Sequence, residues 1–143
     1  MVNVNKLSEV GKKLETVINA ANISSVRRVW LNLEGMVPET PAILVEPQNI
    51  TRERYATGHQ TLNTFTVHLT VLHSRIASET DTNQECLQIA ENLEGTLHDN
   101  MTLDGLMVHS MVSSLELGVA TRQKIALRAA RLVWQGVSRT RLQ

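Results

Sequence analysis

Aromatic side chains are nearly missing from this 143-residue chain, which has only Trp30, Tyr55, Phe65 and Trp134. Stacking platforms for bases or sugars are therefore scarce, and the core must be packed by Leu, Ile, Val, Met and Ala. Cysteine is scarcer still: the single Cys86 excludes an internal disulfide and a Cys-rich zinc site, and it suits synthesis in a reducing compartment. Net charge is absent too, because 14 Lys and Arg balance 14 Asp and Glu. The chain as a whole lacks the basic footprint that holds phosphate backbones without regard to sequence. No apolar run approaches the ~18 residues of a membrane span, and residues 1–6 lack the apolar region of a signal peptide. These absences predict a soluble chain made in the cytoplasm, with no membrane partner.

Catalytic constellations fail on spacing. There is no Gly-x-Ser-x-Gly elbow to present a nucleophile, and Cys86 falls on the apolar side of a predicted helix, where a free cysteine is ordinarily a small core residue. The five histidines, His59, His68, His73, His98 and His109, form no His-x-x-x-His pair and no Cys/His cluster of zinc spacing. His68 and His109 both fall on predicted strands and could be neighbours, but a pair of strand histidines without a nearby carboxylate is ordinarily structural. The seven glycines are scattered singly, which removes both nucleotide-binding glycine motifs. The carboxylate pairs Glu91/Glu94 and Asp99/Asp104 suit a solvated surface better than acid–base work. The expectation is no active site, no cofactor and no metal.

What the chain does contain is clear periodicity. Leu7, Val10, Leu14, Val17, Ile18 and Ala21 recur at helical spacing and predict an amphipathic helix over residues 5–21, with Asn3 or Asn5 as its cap and Asn22 as its stop. Residues 26–33 alternate as a strand, and the β-branched run 42–46, stopped by Pro47, suits a second strand pairing with the first. Residues 47–60, polar and basic without periodicity, predict a long loop. Phe65, Val67, Leu69 and Val71 then alternate with Thr64, Thr66, His68 and Thr70, the pattern of a strand with one buried face. Cys86, Ile89, Ala90, Leu93 and Leu97 return to helical spacing over residues 81–97, with Asp81 and Gln84 in the form of a capping box. Residues 106–117 alternate again, up to Gly118. The segment after Lys124 suits a strand, bulged near Ala130, although Ala129-Ala130-Arg131-Leu132 would also suit a helix; a strand here covers what is otherwise a bare sheet edge. The order predicts one α+β domain over residues 1–143, a mostly antiparallel sheet of about four to five strands with two helices packed on it. Residues 136–143 form either a frayed tail or a basic contact for a nucleic acid or acidic partner.

Charge placement is the feature that these elements leave unexplained. Residues 76–105 contain seven acids and no Lys or Arg, whereas residues 119–143 contain six bases and no acid. Such segregation suits either head-to-tail self-association through unlike patches, which closes into a ring when the rotation fits, or neutralisation inside one chain where helix and strand pack together.

The element order, with Pro41-Ala42-Ile43-Leu44-Val45-Glu46-Pro47, Phe65-Thr66-Val67-His68-Leu69-Thr70-Val71 and Cys86-Leu87-Gln88-Ile89-Ala90-Glu91-Asn92-Leu93 as its landmarks, resembles the tail terminator, or tail completion, proteins of long-tailed bacteriophages. The similarity is one of layout, length and missing chemistry, and it runs through nearly the whole chain. It implies a virion protein that assembles as a ring, commonly a hexamer, on the tail tube protein. The ring ends tube polymerisation, offers a docking surface to a head-completion or neck protein, and lets DNA pass only through its lumen. A head-closure or neck connector, and a small ligand-binding or catalytic α+β domain using His68, His109 and the acids of the second helix, are the alternatives. Candidate interface residues on this basis are Arg52, Arg54 and Tyr55 in the long loop, Glu91 and Glu94 in the acidic region, and Arg128 and Arg131 in the basic one.

Overall fold

The computed structural model describes residues 6–32, 39–54, 60–75, 79–122 and 124–141. In chain order these form α1 (Leu7–Ala21), β1 (Arg28–Leu31), β2 (Ala42–Arg54), β3 (Gln60–Arg75), α2 (Glu79–His98), β4 (His109–Arg122) and β5 (Ile125–Arg141). The fold is α+β. Five strands make one sheet in the order β1-β2-β3-β5-β4, antiparallel except where β1 runs parallel to β2.

Each helix exists to cover the same side of this sheet. The stripe of α1 that buries Val10, Leu14 and Ile18 lies over β1 and β2, and the stripe of α2 that buries Cys86, Ile89, Ala90, Leu93 and Leu97 lies over β3, β5 and β4. They meet Ile43 and Val45 of β2, Phe65, Val67, Leu69 and Val71 of β3, and Ala130, Leu132 and Trp134 of β5, which alternate toward them along their strands. Close approach is required at two glycines. A Cβ on Gly11 of α1 would fall 2.8 Å from the Pro47 ring, and one on Gly136 would collide with the fully buried Trp134 indole, 2.7 Å from its Cζ2. Helix α1 ends as expected at Asn22, whose left-handed backbone lets its N–H reach the Asn19 carbonyl. Its start differs: Asn3 and Asn5 lie outside the described residues, and the cap position is Lys6, with no side-chain hydrogen bond. Helix α2 begins at Glu79, so Asp81 sits inside its first turn and is not a cap.

The largest correction concerns residues 47–60. Most of this predicted loop is strand, since β2 runs on to Arg54 and pairs with β3 from Ala42↔Leu72 to Arg54↔Thr61. Pro47 does not stop it because β1 ends opposite Val45, so that among the described residues nothing pairs with β2 on that side at Pro47, and the register shifts between Pro47 and Asn49. A residue without an N–H is tolerated at such an edge and bulge. From residue 48 onward β2 is exposed on nearly all sides, so no alternating pattern marks it as a strand.

The last segment is a strand as expected, but it is central and not a closing edge. β5 lies between β3 and β4, and its pairing with β3 reaches Arg141, so residues 136–141 belong to the sheet and not to a loose tail. No bulge occurs at Ala130; the irregularities are at Val112/Ser114 in β4 and Leu72/Arg75 in β3. The alanines have a packing reason. Ala130 meets the helix layer, while Ala129 on the opposite side joins Ala42, Leu44, Leu72 and Leu127 in a second small cluster edged by Trp30, Ala120 and Ile125. β4 also passes through Gly118 and ends at Arg122, turning into β5 with Lys124 in the left-handed region.

Gly136 and Gly95 should separate in their response to a methyl group. Gly136→Ala is expected to lower stability by roughly 1–3 kcal/mol through overpacking against Trp134. Gly95→Ala, in α2 with open space where its Cβ would go, is expected to raise stability by about 0.5–1 kcal/mol. Urea midpoints of the two variants check both signs.

Candidate assembly interface

β4 has a partner on one side only. Its register with β5 runs from His109↔Val137 to Arg122↔Ile125, and among the described residues nothing pairs with its other edge. The strand is anchored where it begins, since Ser110 Oγ donates to the Met101 carbonyl at 2.7 Å and Met107 and Leu103 are buried beneath the preceding turn. At the bulge, Ser113 Oγ donates to the Val133 carbonyl at 3.2 Å. All the large hydrophobic residues exposed among the described ones belong to this strand or the turn leading into it: Met101, Val108, Met111, Leu117 and Val119. Uncovered edges are ordinarily blunted by lysine, proline or inward charges. Between residues 109 and 121 β4 has neither lysine nor proline, and Glu116 is its one acid.

Alternation assigns the side chains of β4 to two sides. Leu117, opposite Ala130, lies on the helix side; Glu116, opposite Arg131, lies on the open side. A shallow hollow lined by Thr70, Glu116, Gly118, Ala129 and Arg131 borders this edge. Another, lined by Ile18, Asn22, Val26, Arg27, Arg28 and Val29, borders the opposite edge at β1.

The candidates named from the sequence do not converge. Arg52 and Arg54 are exposed at the far end of the β2–β3 hairpin, where Arg52 donates to Asn63 Oδ1 at 3.1 Å and Asn63 Nδ2 in turn donates to Ser138 Oγ at 3.4 Å. Tyr55 lies outside the described residues. Glu91 and Glu94 occupy the outer side of α2, with no ion-pair partner among the described residues. Arg128 and Arg131, expected in one basic region, point to opposite sides of β5. Arg128 is half-buried near Cys86, its Nε buried without a hydrogen bond, whereas Arg131 is exposed on the open side near His68. The acidic segment's contacts lead elsewhere: Asp104 pairs with Lys13 of α1 at 2.7 Å, and Glu85 Oε2 lies 2.8 Å from His73 Nε2 of β3. Hydrogen bonds from Lys13 and then Asn100 hold the exposed Asp104 carboxyl below its usual value.

Nor do the titratable groups assemble a reaction centre. His68 and His109 are not neighbours, because β5 separates their strands and their partners on it, Val133 and Val137, are four residues apart. Burial, then the charge of Arg131, pushes the His68 imidazole below its ordinary value against a smaller upward pull from Glu46. Among the described residues no three His, Cys, Asp or Glu side chains are grouped as a metal would need, and no helix is long and apolar enough to cross a membrane.

No family model matches the chain. No curated protein matches it either. The class that can be stated is the fold: an α+β domain with both helices on one side of a mixed, mostly antiparallel sheet.

Edge strands escape sequence reasoning because β4 alternates like a paired strand. Its unusual feature is that Leu117 and Val119 continue the apolar phase past the end of the helix cover, next to Gly118, where the sequence predicts a stop.

Cys86 gives a direct test of the core beneath α2. Burial pushes its thiol up to about 11 from a usual value near 9, against a smaller downward pull from Arg128. Raised in the fold, this group stabilises fully below about pH 9 and loses its contribution as pH climbs toward about 11. The thiol should react slowly with a disulfide reagent at pH 8 in the native protein and readily in urea, and Cys86→Ala should flatten the alkaline fall in the urea midpoint relative to the parent.

Proposed function

We propose that this chain is a structural subunit that assembles with copies of itself into a ring, and that the ring caps the tail tube of a long-tailed bacteriophage. The observation that carries the assembly half is β4, a strand of 14 residues at the edge of the sheet that, with the turn leading into it, gathers the large hydrophobic side chains exposed among the described residues. Singly scattered surface hydrophobics are ordinary, but a run of them along a strand with one open edge is a site for another strand. The layout supports the particular ring. A leading helix, a strand pair, a strand with one polar face, a second helix and two closing strands is the order that resembles tail terminators.

The work of such a subunit is geometric. One rim of the ring matches the last layer of the tube and the other presents a different surface, so that no further tube subunit adds and a head-completion or neck protein docks instead. DNA passes through the lumen. The exposed end of the β2–β3 hairpin, with Arg52 and Arg54, supplies the contact with the tube. A neck connector would use the same ring in another layer of the particle. A catalytic domain built on His68, His109 and the acids of α2 has less in its favour, because the two histidines lie on the open side on separated strands and α2 covers the other side.

Sedimentation of the purified protein should show a species several times the mass of one chain, and negative-stain images should show rings, alone or on tail tubes. Leu117→Lys with Val119→Lys should reduce that species to monomer while leaving the urea midpoint within about 0.5 kcal/mol of the parent, as suits exposed positions. A chain that stays monomeric at high concentration and forms no ring with tail tube ends the proposal.

A further inference from the structure

We infer that neighbouring copies join through the two outer strands of the sheet, each of which has one edge that pairs with nothing among the described residues, β4 of one copy lying antiparallel against β1 of the next, with Arg28 of the second copy set diagonally to Glu116 of the first. The inference deepens the assembly reading above and rests on it.

Strand direction comes first. β1 runs with β2, β2 against β3, β3 against β5, and β5 against β4, so β1 and β4 run in opposite senses at the two ends of one sheet. A second copy turned about an axis along the strands therefore presents its β1 antiparallel to β4 of the first. That is the geometry in which two edges exchange hydrogen bonds without either chain being inverted, and repetition of the same contact is what closes a ring.

Side-chain phase agrees with that direction. Arg28 and Trp30 stand on the open side of the sheet, opposite Ala42 and Leu44 of the second cluster, and Glu116 shares that side through its row with Arg131 and Thr70. Val29 belongs to the helix-side core, as does the row that Leu117 extends. Placing Arg28 opposite Gly118 sets Val29 opposite Leu117 and Trp30 opposite Glu116. This one register covers an exposed leucine with an apolar neighbour and leaves the arginine side chain room above a residue that has none.

Charge selects β1 over a second copy of β4. The Arg28 guanidinium stacks over the Trp30 ring, 4.1 Å from its centroid, and has no ion-pair partner among the described residues. Arg27 beside it is exposed as well. Glu116 is exposed and has no ion-pair partner among the described residues. Two copies of β4 meeting about a two-fold axis would offer Glu116 no cation before Arg122 at the strand's end, whereas the β1 edge offers two arginines.

Charge exchange between the two edges tests the contact. Arg28→Glu and Glu116→Arg should each weaken association roughly tenfold, since each sets like charges together where a pair stood. An equimolar mixture of the two variants should regain the parent's assembled mass, because each chain then supplies the edge that suits the other. As a second route, Val29→Cys and Leu117→Cys chains, oxidised with copper phenanthroline, should form a disulfide-linked pair when mixed and none when treated singly. Association of either charge variant at the parent's strength, a mixture that stays dissociated, or cross-linking of the Leu117→Cys chain with itself overturns the edge pairing and leaves the ring proposal standing. A parent chain that never assembles overturns both.

Discussion

The rest of the molecule depends on the position of β5 between β3 and β4. Its pairing with β3 extends from Gln60↔Arg141 to Arg75↔Leu127, and its pairing with β4 fills the other edge over nearly the same length. A strand held on both edges must place every second side chain against the helices, and in β5 these are Ala130, Leu132 and Trp134, all fully buried. The rows beneath α2 follow from that register, as does the need for glycine at 136. The indole of Trp134 occupies the space that a neighbouring Cβ would require. A slip of one residue would turn Trp134 to the open side and bring Arg131 into the core.

Packing both helices on one side divides the sheet chemically. On the covered side the strands alternate apolar residues without interruption through Ile43, Val45, Val67, Leu69, Val71 and Leu132. The open side is apolar only at one end, where Ala42, Leu44, Leu72, Leu127 and Ala129 cluster beside Trp30. Its middle is a polar row system in which Thr70 donates to Glu46 at 3.1 Å and His68 stands near Arg131. Threonine suits such a surface, because its branched Cβ favours extended backbone while its hydroxyl is satisfied by water or by a neighbouring carboxylate.

Much of the fold was legible in the sequence, for a physical reason that also explains the misses. Where an element is covered on one side only, burial imposes a period, and α1, α2 and the centre of β3 could be read directly from it. The outer half of β2 is exposed on nearly all sides and has no period to read, so it passed for a loop. β5 is crowded on both sides around Ala129 and Ala130, which blurs strand and helix alike, and its central place was not visible because strand order is a long-range property. Of the interface candidates, Arg128 and Arg131 show the limit of counting charge along the chain: three residues apart in a strand, they emerge on opposite sides. The β4 edge is not legible in the sequence because pairing on one edge and on two produces the same alternation.

The sheet order has a consequence for how the chain comes into being. β4 and β5 are consecutive and joined by a tight turn, yet β5 enters beside β3, so a complete hairpin must dock as a unit onto a strand made more than fifty residues earlier. During synthesis β3 emerges well before the strand that will cover its second edge. Until then Phe65, Val67, Leu69 and Val71 have the backbone of β2 on one flank and solvent or the nascent α2 on the other. The late arrival of β5 makes the half-built sheet a species with an open, apolar margin, vulnerable to capture by any extended chain nearby. Long-range closure of this kind is slow compared with helix or hairpin formation, and the interval before it is when neighbouring chains act most strongly on this protein.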